Sequence, residues 1–170
     1  MSCSRLLAGA AALLLAGGLS GCFQPLYGEA AHPGLTDDLR SIEVAPIANR
    51  VGHYLADDLI SDLNGTGQTA APKYRLTVSV SLGTQTPTVN SETNVASSAT
   101  VTGDATYTLT KVDGGAEVVK GNASVAAAYD RTTQRYADLR AARDAEIRIA
   151  RALSSEISLR LASALAAKSS

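Results

Sequence analysis

The sequence predicts an α+β domain: a two-layer β-α-β-β-β-α arrangement in which a four-stranded mixed sheet carries two helices on one face. Three observations predict it. Between residues 74 and 129 apolar and polar side chains alternate in three separate runs, the period of half-buried strands. Val51, Leu55, Leu59 and Leu63 recur every four residues, which draws one apolar stripe along a helix. Residues 132–167 contain neither Pro nor Gly and are dominated by Ala, Leu and Arg, the composition of a long helix broken once at most.

In chain order, residues 22–40 hold Pro25, Gly28, Pro33 and Gly34 without clear periodicity and read as a tether to the domain at 41–170. Residues 41–45 form a short strand that Pro46 ends. Asn49 is placed to cap a helix that runs through Leu63 and closes at Asn64-Gly65. The first long strand sets Tyr74, Leu76, Val78, Val80 and Leu82 against Arg75, Thr77, Ser79 and Ser81. Residues 84–95, rich in Thr, Ser and Asn, make a polar loop. The next strand sets Ala99, Val101, Ala105, Tyr107 and Leu109 against a row of threonines and Asp104, and Asp113-Gly114-Gly115 supplies hairpin chemistry. The last strand places Val119, Ala123, Val125, Ala127 and Tyr129 opposite Lys120, Asn122 and Ser124. In the long helix Leu139, Ala142, Ile149, Ala150, Leu153, Ile157 and Leu161 share a face. Glu146 interrupts it and needs a partner, for which Arg143, one turn earlier, is the candidate. The first crossover is expected to be right-handed.

The N-terminus reads as a targeting segment. Arg5 is its only charge, and an unbroken run of Leu, Ala and Gly follows from residue 6 to residue 18. That order is the order of a secretory signal, and the run is shorter than the roughly 20 residues of a membrane span. It ends in Leu19-Ser20-Gly21-Cys22, which resembles the bacterial lipobox. Residues 1–21 are thus expected to be removed and Cys22 to carry diacylglycerol on sulfur, with a further acyl chain on its amine. Two or three chains anchor a protein firmly where one holds it only reversibly. Phe23 follows the cysteine; an Asp there resembles an inner-membrane retention signal, so Phe favours the periplasmic side of the outer membrane.

Composition narrows the chemistry. Loss of Arg5 with the signal takes the net charge from −1 to −2, which gives no case for nucleic acid. With Cys3 expected to leave with the signal and Cys22 to be acylated, no thiol is expected for a disulfide, and two histidines alone make no case for a transition-metal site. No nucleophile elbow and no phosphate loop occurs. Gly65-Thr66-Gly67 is a turn, and Asp57 and Asp58, adjacent on a helix, point apart and cannot act as an opposed carboxylate pair. The expectation is no enzyme, and no cofactor beyond the covalent lipid. Charge is uneven, however. Residues 29–64 hold seven acids and two bases, and residues 132–168 hold seven bases and four acids, so the two helices are expected to attract each other or to face different partners.

Two features point to binding. The uncovered sheet face, made of Thr, Ser, Asn and a few charges, is either the wet side of a half-covered sheet or a surface for a hydrated channel or a sugar-rich ligand. On the long helix Asp144–Arg148 and Glu156–Arg160 are well-oriented pairs, while Arg140, Arg143 and Arg151 form a stripe with fewer acidic neighbours. The arginine fork suits phosphates, and a solvated face is the plainer alternative.

The stretch Leu19-Ser20-Gly21-Cys22-Phe23-Gln24-Pro25-Leu26-Tyr27-Gly28 resembles the mature start of the lipopolysaccharide-assembly lipoprotein LptE family in its alphaproteobacterial branch, which reads C-G-F-x-P-L-Y-G. The Gly between Cys and Phe is absent here. Residues 42–47, residues 74–78 and the final helix, with Tyr136-Ala137 and then Arg143 to Glu146, are similar to the family pattern. The likeness spans nearly all of residues 22–170 through short motifs. It implies a plug within the barrel of the outer-membrane protein LptD, assistance in barrel assembly, and lipopolysaccharide binding. The arginine stripe at Arg140, Arg143 and Arg151 would then meet lipid A phosphates. Two other readings compete: an anchored auxiliary of another envelope lipid-transport complex, and an activator of a peptidoglycan enzyme.

Overall fold

A computed structural model describes residues 34–65, 71–86 and 97–169. The described elements run α1 (Leu35–Arg40), β1 (Ile42–Val44), α2 (Asn49–Asn64), β2 (Tyr74–Gln85), β3 (Ser98–Lys111), β4 (Glu117–Asp130) and α3 (Arg135–Ser169). The strands form one sheet in the order β1-β2-β3-β4. β1 pairs parallel with β2, and the other two pairings are antiparallel, so the sheet is mixed, as the sequence predicts.

Each long strand follows its alternation. Leu76, Val78 and Val80 of β2 and Val101, Ala105, Tyr107 and Leu109 of β3 turn inward and are buried, while their chain neighbours face solvent in whole or part. Against this face lie Leu55 and Leu59 of α2 and Ile149, Leu153, Ile157 and Leu161 of α3, each with no accessible surface. Burying a side chain of this size contributes about 1.5–3 kcal/mol each, so this double row is the main stabilising feature of the domain. Two glycines permit the close approach. A Cβ on Gly103 would come within 2.3 Å of Ile149 Cγ2, and one on Gly121 within 2.5 Å of the Tyr107 hydroxyl, whose ring lies across the neighbouring strand. The turn after β3 uses Gly114 and Gly115 at φ 83° and 65°, conformations open to glycine at no steric cost.

Four details depart from the sequence reading. First, the segment read as tether contains α1, whose Leu35 is buried and whose Asp38 pairs with Lys73 at 2.9 Å. Ser41 Oγ donates to the Asp38 carbonyl at 2.7 Å, and the Ser41 carbonyl accepts from Lys73 N at 3.0 Å, so this short helix is tied to the start of β2. Second, Asn49 does not cap α2. Ala48 holds the cap position with no side-chain bond, and Asn49 adopts φ 71°, a left-handed conformation that asparagine tolerates better than most residues. The other end behaves as expected: Gly65 at φ 61° closes the helix and donates to the Ser61 carbonyl at 3.0 Å. Third, α3 begins at Arg135 and is continuous, and its buried stripe begins at Ala145, leaving Leu139 56% exposed. Fourth, Leu82, near the far end of β2, is 37% exposed despite its inward parity.

Candidate functional site

The described elements leave one face of the sheet uncovered, and its register shows what that face presents. Thr77, Thr108 and Lys120 stand in one row across β2, β3 and β4; Ser79, Thr106 and Asn122 in the next; Ser81, Asp104 and Ser124 in the third. Residues two apart share a face, so these rows form a continuous carpet of small hydroxyl and amide groups. Near the β1 end Arg75 pairs with Glu43 at 3.1 Å. Such a surface offers many rotatable donors and acceptors and almost no apolar area. Such groups can hydrogen-bond to water or to a polar partner.

The opposite side of the molecule is the seam between α2 and α3, which run side by side. Here the charge bias read from the sequence finds its geometry. Ser154, fully buried, donates to Asp62 Oδ2 at 2.7 Å. The Asp58 pKa is raised from its ordinary value, chiefly by burial, while Arg151 pulls it back and Asp62 and Asp57 push it further up. At the head of the seam the polarity reverses. Arg50 of α2 grips Glu146 of α3 through two nitrogens, with contacts of 2.8 and 3.0 Å. The bond to Glu146 also raises the Arg50 pKa. Glu146 is therefore partnered by Arg50 and not by Arg143. The pair lines a cleft of about 210 Å³ floored by Val80 and Leu82.

Arg140 and Arg151 are exposed, and Arg143 is half-buried with its Nε enclosed and making no hydrogen bond. Eleven residues separate the first from the last, which spreads the three guanidinium groups over about 16 Å of helix. They form a string and not a single converging pocket, and Arg151 already faces Asp58. The expected pairs Asp144–Arg148, at 2.9 Å, and Glu156–Arg160 are both present. What sequence reasoning missed is that both arginines reach on to backbone carbonyls of β4. No local spacing could signal that contact, because it joins residues 20 and 38 positions apart.

Cys22, the expected lipid attachment site, lies outside the described residues, as do the signal at 1–21 and most of the tether. Among the described residues no group of His, Cys, Asp and Glu side chains could hold a metal ion, and no helix is long and apolar enough to cross a membrane.

No known family profile matches the chain, and no curated protein matches its sequence. Solved structures do resemble it. A candidate lipoprotein of Caulobacter crescentus CB15 superposes with a TM-score of 0.65 at 28% identity, covering 80% of this chain and 96% of that one. A minor lipoprotein from Acinetobacter baumannii shares the fold, with a TM-score of 0.53 at 10% identity over 73% of this chain and 92% of that one. Rare lipoprotein B from Shewanella oneidensis gives a TM-score of 0.45 at 12% identity over 75% and 94% of the two chains. The chain shares its α+β fold with a group of small lipoproteins of known structure. Within it, the Caulobacter crescentus protein is similar in sequence as well as in fold.

Proposed function

We propose that this chain is an outer-membrane lipoprotein of the LptE type, anchored through Cys22, that plugs and helps assemble the LptD β-barrel and assists lipopolysaccharide transport to the cell surface. The observation that carries this reading is the resemblance of residues 19–28 to the family's mature start. Outer rows of Thr, Ser and Asn on strands of 12 to 14 residues suit bulk water, and they equally suit a body seated in the polar, water-filled lumen of a barrel, which is the setting the family resemblance implies. The likeness to lipoproteins of known structure supports the same reading.

Depletion is the test. Cells losing this protein should lose surface lipopolysaccharide and accumulate unassembled barrel while keeping their shape. Intact surface lipopolysaccharide with altered cell shape would instead point to peptidoglycan work and overturn the proposal.

Within that function Arg140, Arg143 and Arg151 are assigned to lipopolysaccharide phosphates, met as a line of charge along α3. Replacing all three by Ala should weaken lipopolysaccharide binding without changing barrel association. Unchanged binding removes these residues from the role.

A further inference from the structure

We infer that three cations of α3 guard the long edge of the sheet and prevent β4 from pairing with β4 of a second copy. Among the described residues β4 has β3 as its only strand neighbour, so the backbone of this 14-residue strand faces outward along its other side. An edge of that length is a template for another strand. The opposite edge, β1, is three residues long and offers no such template.

Along the β4 edge the carbonyls are met by positive side chains from one helix. Arg148 Nη2 donates to the Ala128 carbonyl at 2.9 Å, Arg160 Nη1 to the Asn122 carbonyl, and Lys168 Nζ to the Val118 carbonyl at 3.2 Å. From Val118 to Ala128 these contacts span about 33 Å of strand. Both arginines are also held one turn back on the helix, Arg148 by Asp144 and Arg160 by Glu156, so their forks are aimed before any partner arrives. The irregularity in the β3–β4 register, at Leu109/Thr110, falls beside Val118 and disturbs the same edge.

Each clamp acts twice. It occupies an acceptor that an incoming N–H would need, and it sets a long side chain where a second, identical edge would set its own. Two unguarded copies would meet with free backbone acceptors; two guarded copies meet with three acceptors already taken and the clamping side chains in the way. No large apolar side chain is exposed along the described edge between the clamps, where Ser124 and Ala126 are small.

The test uses the full lipidated chain in detergent with Ser124→Cys added, because a symmetric antiparallel β4 pair sets two copies of residue 124 near each other. Mild oxidation should give disulfide dimer no higher than in the parent chain. With Arg148→Ala, Arg160→Ala and Lys168→Ala added, the dimer yield should rise several-fold at unchanged helix content by circular dichroism. Adding Ala126→Pro should return it to the parent level by removing an edge donor. If the triple variant fails to fold, Arg160→Ala alone is measured and should show a smaller rise. Equal dimer yields with and without the clamps, or a dimer indifferent to Ala126→Pro, overturn the inference.

Discussion

Glu146 stands inside the apolar stripe of α3 with 17% of its side chain accessible, and its partner, Arg50, is 96 positions away in the chain. The need for a partner is visible in the sequence; its identity is not, because proximity along a helix competes with contacts made by the helix across the seam. Arg143 is near in sequence, yet Arg50 approaches with a two-nitrogen grip, the stronger geometry. Arg50 is half exposed, so solvent screening keeps the pair from being a major source of stability. Asp58 gives a sharper residue-scale prediction. Its native carboxyl binds its proton more tightly than in the unfolded chain, since burial raises its pKa. Stability therefore falls as pH rises through the carboxylate range. Asp58→Asn should raise the melting temperature at pH 7, and the gain should vanish at acid pH, where both forms are neutral. A gain independent of pH, or a loss at pH 7, contradicts this account of the seam.

The seven described elements differ in how much of themselves they show in advance. β2, β3 and β4 are legible because a period of two over a dozen residues leaves little choice of face. α2 and α3 are legible from their apolar repeats. α1 is not, because six residues complete less than two turns, and its signals were only Leu35 and Leu39 four apart with Asp37 and Asp38 in the first turn. The tightness of the layers was also hidden. Gly103 reads as an interruption of β3, whereas in the fold it is the point where Ile149 of α3 touches the sheet backbone. Gly103→Val should cost about 1–3 kcal/mol, or more if α3 cannot shift, read as a lower urea midpoint. Gly83→Val is the control: its Cβ meets nothing within 4 Å on β2, and it should change the midpoint little. Equal effects at the two glycines would contradict the close α3–sheet contact.

As a whole molecule the protein is strongly two-sided. One side is a helix seam whose charges are largely answered within the chain, Asp62 by Ser154 and Glu146 by Arg50. The other is a flat hydroxyl-rich sheet face that the chain's own described elements leave open. The face could be read from the sequence as polar, because the alternation assigns every second residue to it. What it meets could not, since a polar row looks the same whether it faces bulk water or the wall of a hydrated channel. The arginine string was legible as a pattern, but the division of labour within α3 was not: Arg148 and Arg160 reach the edge of β4, while Arg140 is exposed, Arg143 is half-buried and Arg151 faces Asp58 of α2. The partner is therefore the quantity to measure. Affinity purification of the tagged protein from detergent-solubilised envelopes, with identification of whatever co-purifies near stoichiometry, should recover a large outer-membrane β-barrel of the LptD type. Recovery of the protein alone, or with an inner-membrane transporter in place of a barrel, would contradict the account.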